Sequence, residues 1–375
     1  MTWDYYVHTA DEVRTLIDRY NSELSNYEQQ LRNARDQQRR EIRNAIQKIK
    51  DQLRSDLQAD IIDPASQKLA ARLIDDLSLW WLCELPRKED AREAYISIAQ
   101  TVQINEPGKL SGDLNFRPDF TSLPTTSYIA LQVDFELLTP WYSKDDRVFH
   151  VLDNPVRKDR VFGVPFMSAA SWKGMLRWAC RMQAGLQKHL EEGKRFEAWK
   201  DPPWILHLFG NEKGEERDFH QGALIFYPTW FDRIGFEVIN PHSRERRAGT
   251  QPIYYEVVPG RRPKQQERGQ QEDDQQHQKN QDQFEEGGKG ALHLLYAPWP
   301  GMKSVADPQE FIPKLLKAIE NLLTTYGISA KRTVGWGTAE IQKWRAFRKG
   351  QEPVSSDSKD DLWKKIQGWF QGGPP

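Results

Sequence analysis

Apolar residues recur at helical spacing through the first part of the chain. The run Val13, Leu16, Ile17, Tyr20, Leu24, Tyr27 and Leu31 thins to Ala34, then resumes as Ile42, Ala45, Ile46, Ile49, Leu53 and Leu57. No Gly or Pro interrupts Thr9 to Leu57, and Glu, Gln, Arg and Lys, which lose little rotamer freedom in a helix, fill the remaining positions. Thr9 and Glu12 suit a capping box. The pattern predicts one long helix or two in a hairpin, partly of coiled-coil character. The basic run from Arg35 to Arg40 reads either as a binding patch or as a solvated helix face. Pro64 opens a further helix with a broad apolar face of Leu69, Leu73, Leu77, Trp80 and Trp81, ending before Pro86, and residues 91–102 suit another.

Between Asn105 and Thr126 the prolines Pro107, Pro118 and Pro124 stand among Gly and Ser, which reads as a linker. The expected division is a helical extension over residues 1–104, a linker over 105–127 and a second domain from 128. The period then changes to two. Ile129, Leu131, Val133, Phe135 and Leu137 alternate with Ala130, Gln132, Asp134 and Glu136, as in a half-buried strand. A helix is expected from about Ala170 to Leu190, short strands at Ala223, Gly235, Ile253 and Ala291, a helix from about Pro308 to Tyr326, and a last strand after Gly337. This order predicts an α+β sheet of the split βαβ kind over residues 128–347. A Gln-, Asp- and Arg-rich stretch over 260–290 has almost no apolar residue besides Phe284 and is expected to be a mobile, disordered insertion between two paired strands. In the tail, residues 348–375, Leu362, Trp363, Ile366, Trp369 and Phe370 mark a short amphipathic helix.

Composition narrows the function classes. With 375 residues, 38% of them hydrophobic, the chain can hold more than one domain, and a formal net charge of −1 means that any nucleic-acid partner is met by local patches. Cys83 and Cys180 are the only cysteines, too few for a disulfide framework or a cysteine-rich zinc site, and in keeping with a reducing cytoplasm. No apolar run approaches the roughly 18 residues of a membrane span, and Met1-Thr2-Trp3-Asp4 does not open a secretory signal, so a cytoplasmic protein without a membrane partner is expected. The eight histidines show no metal-ligand spacing, and there is no G-x-x-x-x-G-K-[ST] loop.

The candidate chemistry begins at Asp153-Asn-Pro-Val-Arg-Lys-Asp, continues through Gly163-Val-Pro-Phe, and reaches Ser171-Trp-Lys-Gly-Met-Leu-Arg. Gly174 lets a polyanion backbone come close, and a helix start offers N–H groups and a positive dipole to phosphate. Lys173 and Arg177, four apart, share a helical face beside it. Lys331-Arg332-Thr-Val-Gly335-Trp336-Gly337 is a second basic, glycine-punctuated loop, able to cradle phosphate and stack a base, although G-x-G also marks ordinary bulges. Asn240-Pro241-His242, with Arg244, Arg246 and Arg247, is either a proton carrier among guanidinium groups or a plain turn.

In their order these motifs resemble the RAMP superfamily, the RNA-recognition-motif-like backbone subunits of type III CRISPR effector complexes, over about residues 128–345. The resemblance implies a ferredoxin-like fold and prokaryotic antiviral defence within a cytoplasmic ribonucleoprotein complex. It implies crRNA, a target single-stranded RNA and other effector subunits as partners. By position, Ser171, Lys173, Gly174 and Arg177 match the crRNA-binding helix, Lys331, Arg332, Gly335, Trp336 and Gly337 the glycine-rich loop, and Asp153 the acidic residue that cuts target RNA. If Asp153 cuts, the implied chemistry is a metal-dependent endoribonuclease, with Mg2+ or another divalent cation held at Asp153 and helped by Asp159. Met167-Ser-Ala-Ala-Ser171 departs from the family's usual Pro, Gly and Ser before Lys-Gly, and Asn240-Pro241-His242 looks more like non-cleaving subunits at the crRNA 3′ end. Three readings therefore stand: a guide-binding subunit, the same subunit with endoribonuclease activity, and a coiled-coil scaffold unrelated to RNA.

Overall fold

A computed structural model describes residues 18–19, 22–61, 92, 95–96, 99, 117–146, 150–159, 163–212, 220–241, 252–263, 284–299, 302 and 306–370. The helix expected from Pro64, residues 264–283 of the Gln-rich stretch, and His242, Arg244, Arg246 and Arg247 lie outside the described residues. The chain divides into two compact units, one formed by Met1–Leu110, Lys144–Pro165 and Asp232–Val257, the other by Ser111–Ser143, Phe166–Phe231 and Val258–Pro375.

In the first unit the long polar pattern becomes two helices, α1 over residues 22–33 and α2, Asp36–Ile61, parted at residues 34–35 where the stripe thins. Leu24 is buried on α1, and Ile42, Ala45, Ile46 and Ile49 are half-buried on α2, so the 3-4 spacing marks the faces that leave water. Arg92, Tyr95, Ile96 and Ala99 are helical, as the pattern over 91–102 suggests.

The second unit is built on a five-stranded sheet. Its strands are β1 (Ile129–Leu137), β2 (Leu224–Phe226), β3 (Lys289–Tyr296), β4 (Ala339–Arg348) and β5 (Val354–Ser356). They run in the order β5-β4-β1-β3-β2, every neighbouring pair antiparallel. Helix α3 (Ala169–Gln183) lies between β1 and β2 in the chain, and α6 (Pro308–Asn321) between β3 and β4. Two short helices separate them, α4 (Leu186–Glu191) and α5 (Pro203–Phe209). Leaving aside β5, the chain order is β-α-β-β-α-β and the spatial order 4-1-3-2, the ferredoxin-like arrangement.

Period two in β1 sends Ile129, Leu131, Val133, Phe135 and Leu137 to the helical side, each 5% exposed or less. Trp172, Leu176, Ala179 and Cys180 of α3, and Phe311, Ile312, Leu315, Leu316 and Ile319 of α6, complete that core. The other face is not simply solvated. Phe120 and Leu123, from the stretch read as a linker, pack on Ala130 and Leu295, while Asp134 there pairs with Arg345. The helix expected to reach Leu190 breaks after Gln183, because Gly185 takes φ +105 and α4 starts afresh. Around the Gln-rich stretch, Arg262–Pro263 pairs with Phe284–Glu285 as a two-stranded stem. The tail adds β5 to the sheet edge and forms α7 (Lys359–Ile366), which is capped by Ser358 and buries Leu362 and Ile366.

Candidate nucleic-acid interface

Ser168 caps α3 in an extended conformation, its Oγ accepting from the Ser171 N–H at 3.2 Å and lying 2.9 Å from the Ser171 hydroxyl. The helix start is anchored from below by Trp172, fully buried, whose indole N–H donates to Thr229 Oγ1 at 2.9 Å. That hydroxyl in turn donates to the Ala291 carbonyl of β3 at 2.6 Å. One residue on, Lys173 and Gly174 face outward and are exposed. Partial burial, and next to it the Arg177 guanidinium, pulls the Lys173 ammonium below the ordinary lysine pKa.

Gly174 is informative through what it lacks. A Cβ placed there meets nothing within 4 Å among the described residues, so the protein's own packing does not require glycine. In a helix interior glycine destabilises by about 1 kcal/mol relative to alanine. The open space on this face is what a ligand backbone would use.

The glycine-rich loop is bolted to the same unit. Trp141 Nε1 donates to the Ile328 carbonyl at 3.0 Å, the Ser329 hydroxyl donates to the Tyr142 carbonyl at 3.1 Å, and the Ser329 oxygen accepts from Tyr142 N–H at 3.0 Å and Lys331 N–H at 3.2 Å. Gly337, at φ +89, sits where any Cβ would strike the Ser329 backbone, so its role is in the loop's own fold. Gly335, at φ +86, is exposed, and a Cβ there would meet nothing within 4 Å, as at Gly174. Lys331, Arg332 and Trp336 are half-buried along this loop, and Val334 at its tip is 65% exposed.

A cation–π contact joins helix and loop: the Arg332 guanidinium lies 4.3 Å from the centre of the Trp178 ring. Trp178 meets Tyr326 edge-on at 4.8 Å. Trp178 stands four residues after Gly174 and so shares its helical face. The two sequence motifs thus converge within one unit, although Arg332 serves chiefly to tie them together, its Nη1 enclosed and without a hydrogen-bond partner among the described residues.

Arg177 stands differently from its neighbour Lys173. Its side chain is 11% exposed, and its Nη2 and Nε bind Asp201 Oδ2 at 2.6 and 2.9 Å. Arg181 binds the same carboxylate at 2.6 and 2.8 Å and also Glu212 at 2.5 Å. Burial pushes the Asp201 carboxyl up, but hydrogen bonds from Arg181, Arg177 and Trp199 outweigh it and hold its pKa below the ordinary value. The two guanidiniums and two carboxylates cancel in charge, which leaves Lys173 as the open cation of α3 among the described residues.

Asp153 belongs to the other unit. Its side chain is 70% exposed, with Arg92 Nη2 4.0 Å from Oδ2. Asp159 is half-buried and its N–H donates to the Val164 carbonyl at 2.9 Å. Among the described residues no three His, Cys, Asp or Glu side chains converge to hold a metal. Among the described residues Asp153 offers one carboxylate beside a guanidinium, a poor donor set for a divalent cation.

The sequence profile of the RAMP superfamily matches residues 134–340. The chain belongs to the RAMP superfamily. The match begins within β1, takes in α3, β2, β3, α6 and the glycine-rich loop, and ends at the start of β4, so the ferredoxin-like order is that of a RAMP domain. No curated protein sequence matches significantly. Among solved structures, a chain of the type III-B Cmr-beta complex bound to cognate target RNA is 15% identical, with 70% of this chain and 77% of that chain covered at a TM-score of 0.38. A chain of the Csm3-Csm4 subcomplex in the type III-A CRISPR-Cas interference complex is 16% identical, with 68% and 100% covered at 0.35. A chain of a CRISPR RNA-guided surveillance complex in a pre-nicking state is 10% identical, with 58% and 75% covered at 0.36. No helix among the described residues is long and apolar enough to cross a membrane.

Sequence reasoning missed Trp178, Tyr326 and Asp201 at this interface. Trp178 carried a signal, its spacing from Gly174, whereas Asp201 is met only by folding, 24 residues from Arg177.

Proposed function

We propose that this RAMP protein is a crRNA-binding backbone subunit of a type III CRISPR ribonucleoprotein, engaging target RNA and neighbouring effector subunits. The observation that carries the reading is the joining of α3 to the glycine-rich loop through Arg332 and Trp178, with Lys173, Gly174 and Gly335 all facing open space. Guide-RNA phosphates approach at the two glycines, and Lys173 and Lys331 supply charge. Arg177 acts from behind, in its pair with Asp201. The test is titration of the purified protein with a guide-length RNA across a salt series. Lys173→Ala weakens binding and lowers the slope of log affinity against log salt by about 0.7, the value for one phosphate contact on a single strand. An unchanged affinity and slope would sink the reading.

A second reading, target-RNA cleavage at Asp153, is favoured by the exposure of that carboxylate on a loop whose other residues from 150 to 156 are buried or half-buried. Asp153 accepts a hydrogen bond from a target 2′-hydroxyl and orients it. The 2′-oxygen attacks the adjacent phosphorus in line as its proton passes to Asp153, the bond to the 5′-oxygen breaks, that oxygen takes a proton from water to which Asp153 returns its own, and a 2′,3′-cyclic phosphate and a 5′-hydroxyl result. Such alignment is worth several kcal/mol of barrier. Asp153→Ala in the assembled complex, assayed with and without a divalent cation, abolishes product; the same product ladder from the variant would exclude Asp153.

A further inference from the structure

The loop carrying Asp153 is held on both sides of that residue by a buried polar constellation. Of residues 150–156 only Asp153 is exposed. One position before it, the Leu152 N–H donates to His150 Nδ1 at 3.1 Å. One position after it, the Asn154 carbonyl accepts from the Glu256 N–H at 3.0 Å, and the Asn154 amide donates to the Tyr254 carbonyl at 3.2 Å. The Val156 N–H then donates to Glu256 Oε2 at 3.0 Å. The other oxygen of Glu256, Oε1, accepts from Lys158 Nζ at 2.6 Å and from the Tyr95 hydroxyl, which itself accepts from Lys158 Nζ at 2.8 Å. Tyr95 and Glu256 are 0% exposed and Lys158 3%.

An enclosed ion pair is a poor means of stabilising a fold, since apolar residues of similar volume do as well or better. Its use is directional. A carboxylate with both oxygens committed holds a backbone N–H at one place, which an apolar side chain cannot do.

We propose that Glu256 is the positioning residue of the acidic loop: braced by Lys158 and Tyr95, it fixes the chain beyond Asp153 while His150 fixes the chain before it, so that the Asp153 carboxylate meets an RNA ligand in one orientation. The inference rests on the reading of Asp153 as the group that acts on RNA. Two double variants of the full chain, assembled on guide RNA, separate positioning from mere stability. In Lys158→Met with Glu256→Gln, the amide oxygen accepts from Val156 N–H and the amide N–H donates to Tyr95. In Lys158→Met with Glu256→Leu, that bond is gone. Both bind guide and target RNA as the parent does; the Gln form cleaves at the parental single-turnover rate, and the Leu form is slower by about tenfold or more. Parental cleavage by the Leu form overturns the proposal. Hydrogen exchange of the unaltered protein decides it independently of whether the variants fold. The Leu152 and Val156 amides exchange as slowly as those of the Gly235–Ile239 and Ile253–Val257 ladder, and exchange at the rate of an open loop overturns the proposal. Normal cleavage by Asp153→Ala would instead refute the role of Asp153 and leave the exchange result standing.

Discussion

At the scale of single residues, the two outward glycines separate stability from function. Gly174 lies inside a helix with empty space where a Cβ would stand. Gly174→Ala is therefore expected to raise stability by about 0.5–1 kcal/mol in denaturant unfolding, while weakening RNA binding in the same preparation. A variant that is stabilised with RNA affinity intact would show that the open space serves nothing. Gly337 carries the opposite expectation, since its left-handed φ and its packing on Ser329 belong to the fold itself. Gly335 and Gly337 look alike in the sequence, because a G-x-G pattern carries no information about which residue has a neighbour.

At the scale of elements, α3 is a helix with three different sides. Trp172, Leu176, Ala179 and Cys180 follow the spacing that buries them. Lys173 and Gly174 remain open, as the motif suggested. Arg177 and Arg181 instead clasp Asp201, whose side chain is 6% exposed. Asp201→Ala leaves two nearly enclosed guanidiniums without their shared carboxylate, so a loss of about 3–5 kcal/mol is expected by chemical denaturation. A loss under about 1 kcal/mol, the range of exposed pairs, would mean that the cluster is a surface feature. Lysine and arginine four apart look equivalent in a sequence, and only the arrival of residues 199–201 beside the helix distinguishes them.

For the whole molecule, buried titratable groups set the pH response. Burial, with Arg117 adding to it, pushes the His293 imidazole down to about 4 from 6.5. The unfolded chain therefore takes up this proton first as pH falls, so its contribution to stability is complete above about 6.5 and lost between 6.5 and 4. For Glu256, burial raises the pKa but the Lys158 ammonium and the hydrogen bonds from Lys158 and Tyr95 outweigh it, and Glu256, like Asp201, ends below its ordinary value. Their contribution is present above the ordinary carboxylate range and is lost as pH falls through the lowered folded values. Thermal unfolding should show a first decline below about pH 6.5 that His293→Phe flattens, and a steeper one in the acid range that it leaves in place. An identical curve for His293→Phe would show that another group carries the first decline. What the sequence by itself determined is whatever depends on neighbours within a few positions: the helical stripes, the alternation of β1, the cap and glycine of α3, and the β-α-β-β-α-β order that makes a RAMP domain. The tertiary structure alone decided the rest, because Asp201 beside Arg177, Arg332 over Trp178, and Glu256 with Tyr95, 161 positions away, are pairings of distant segments that no local period encodes.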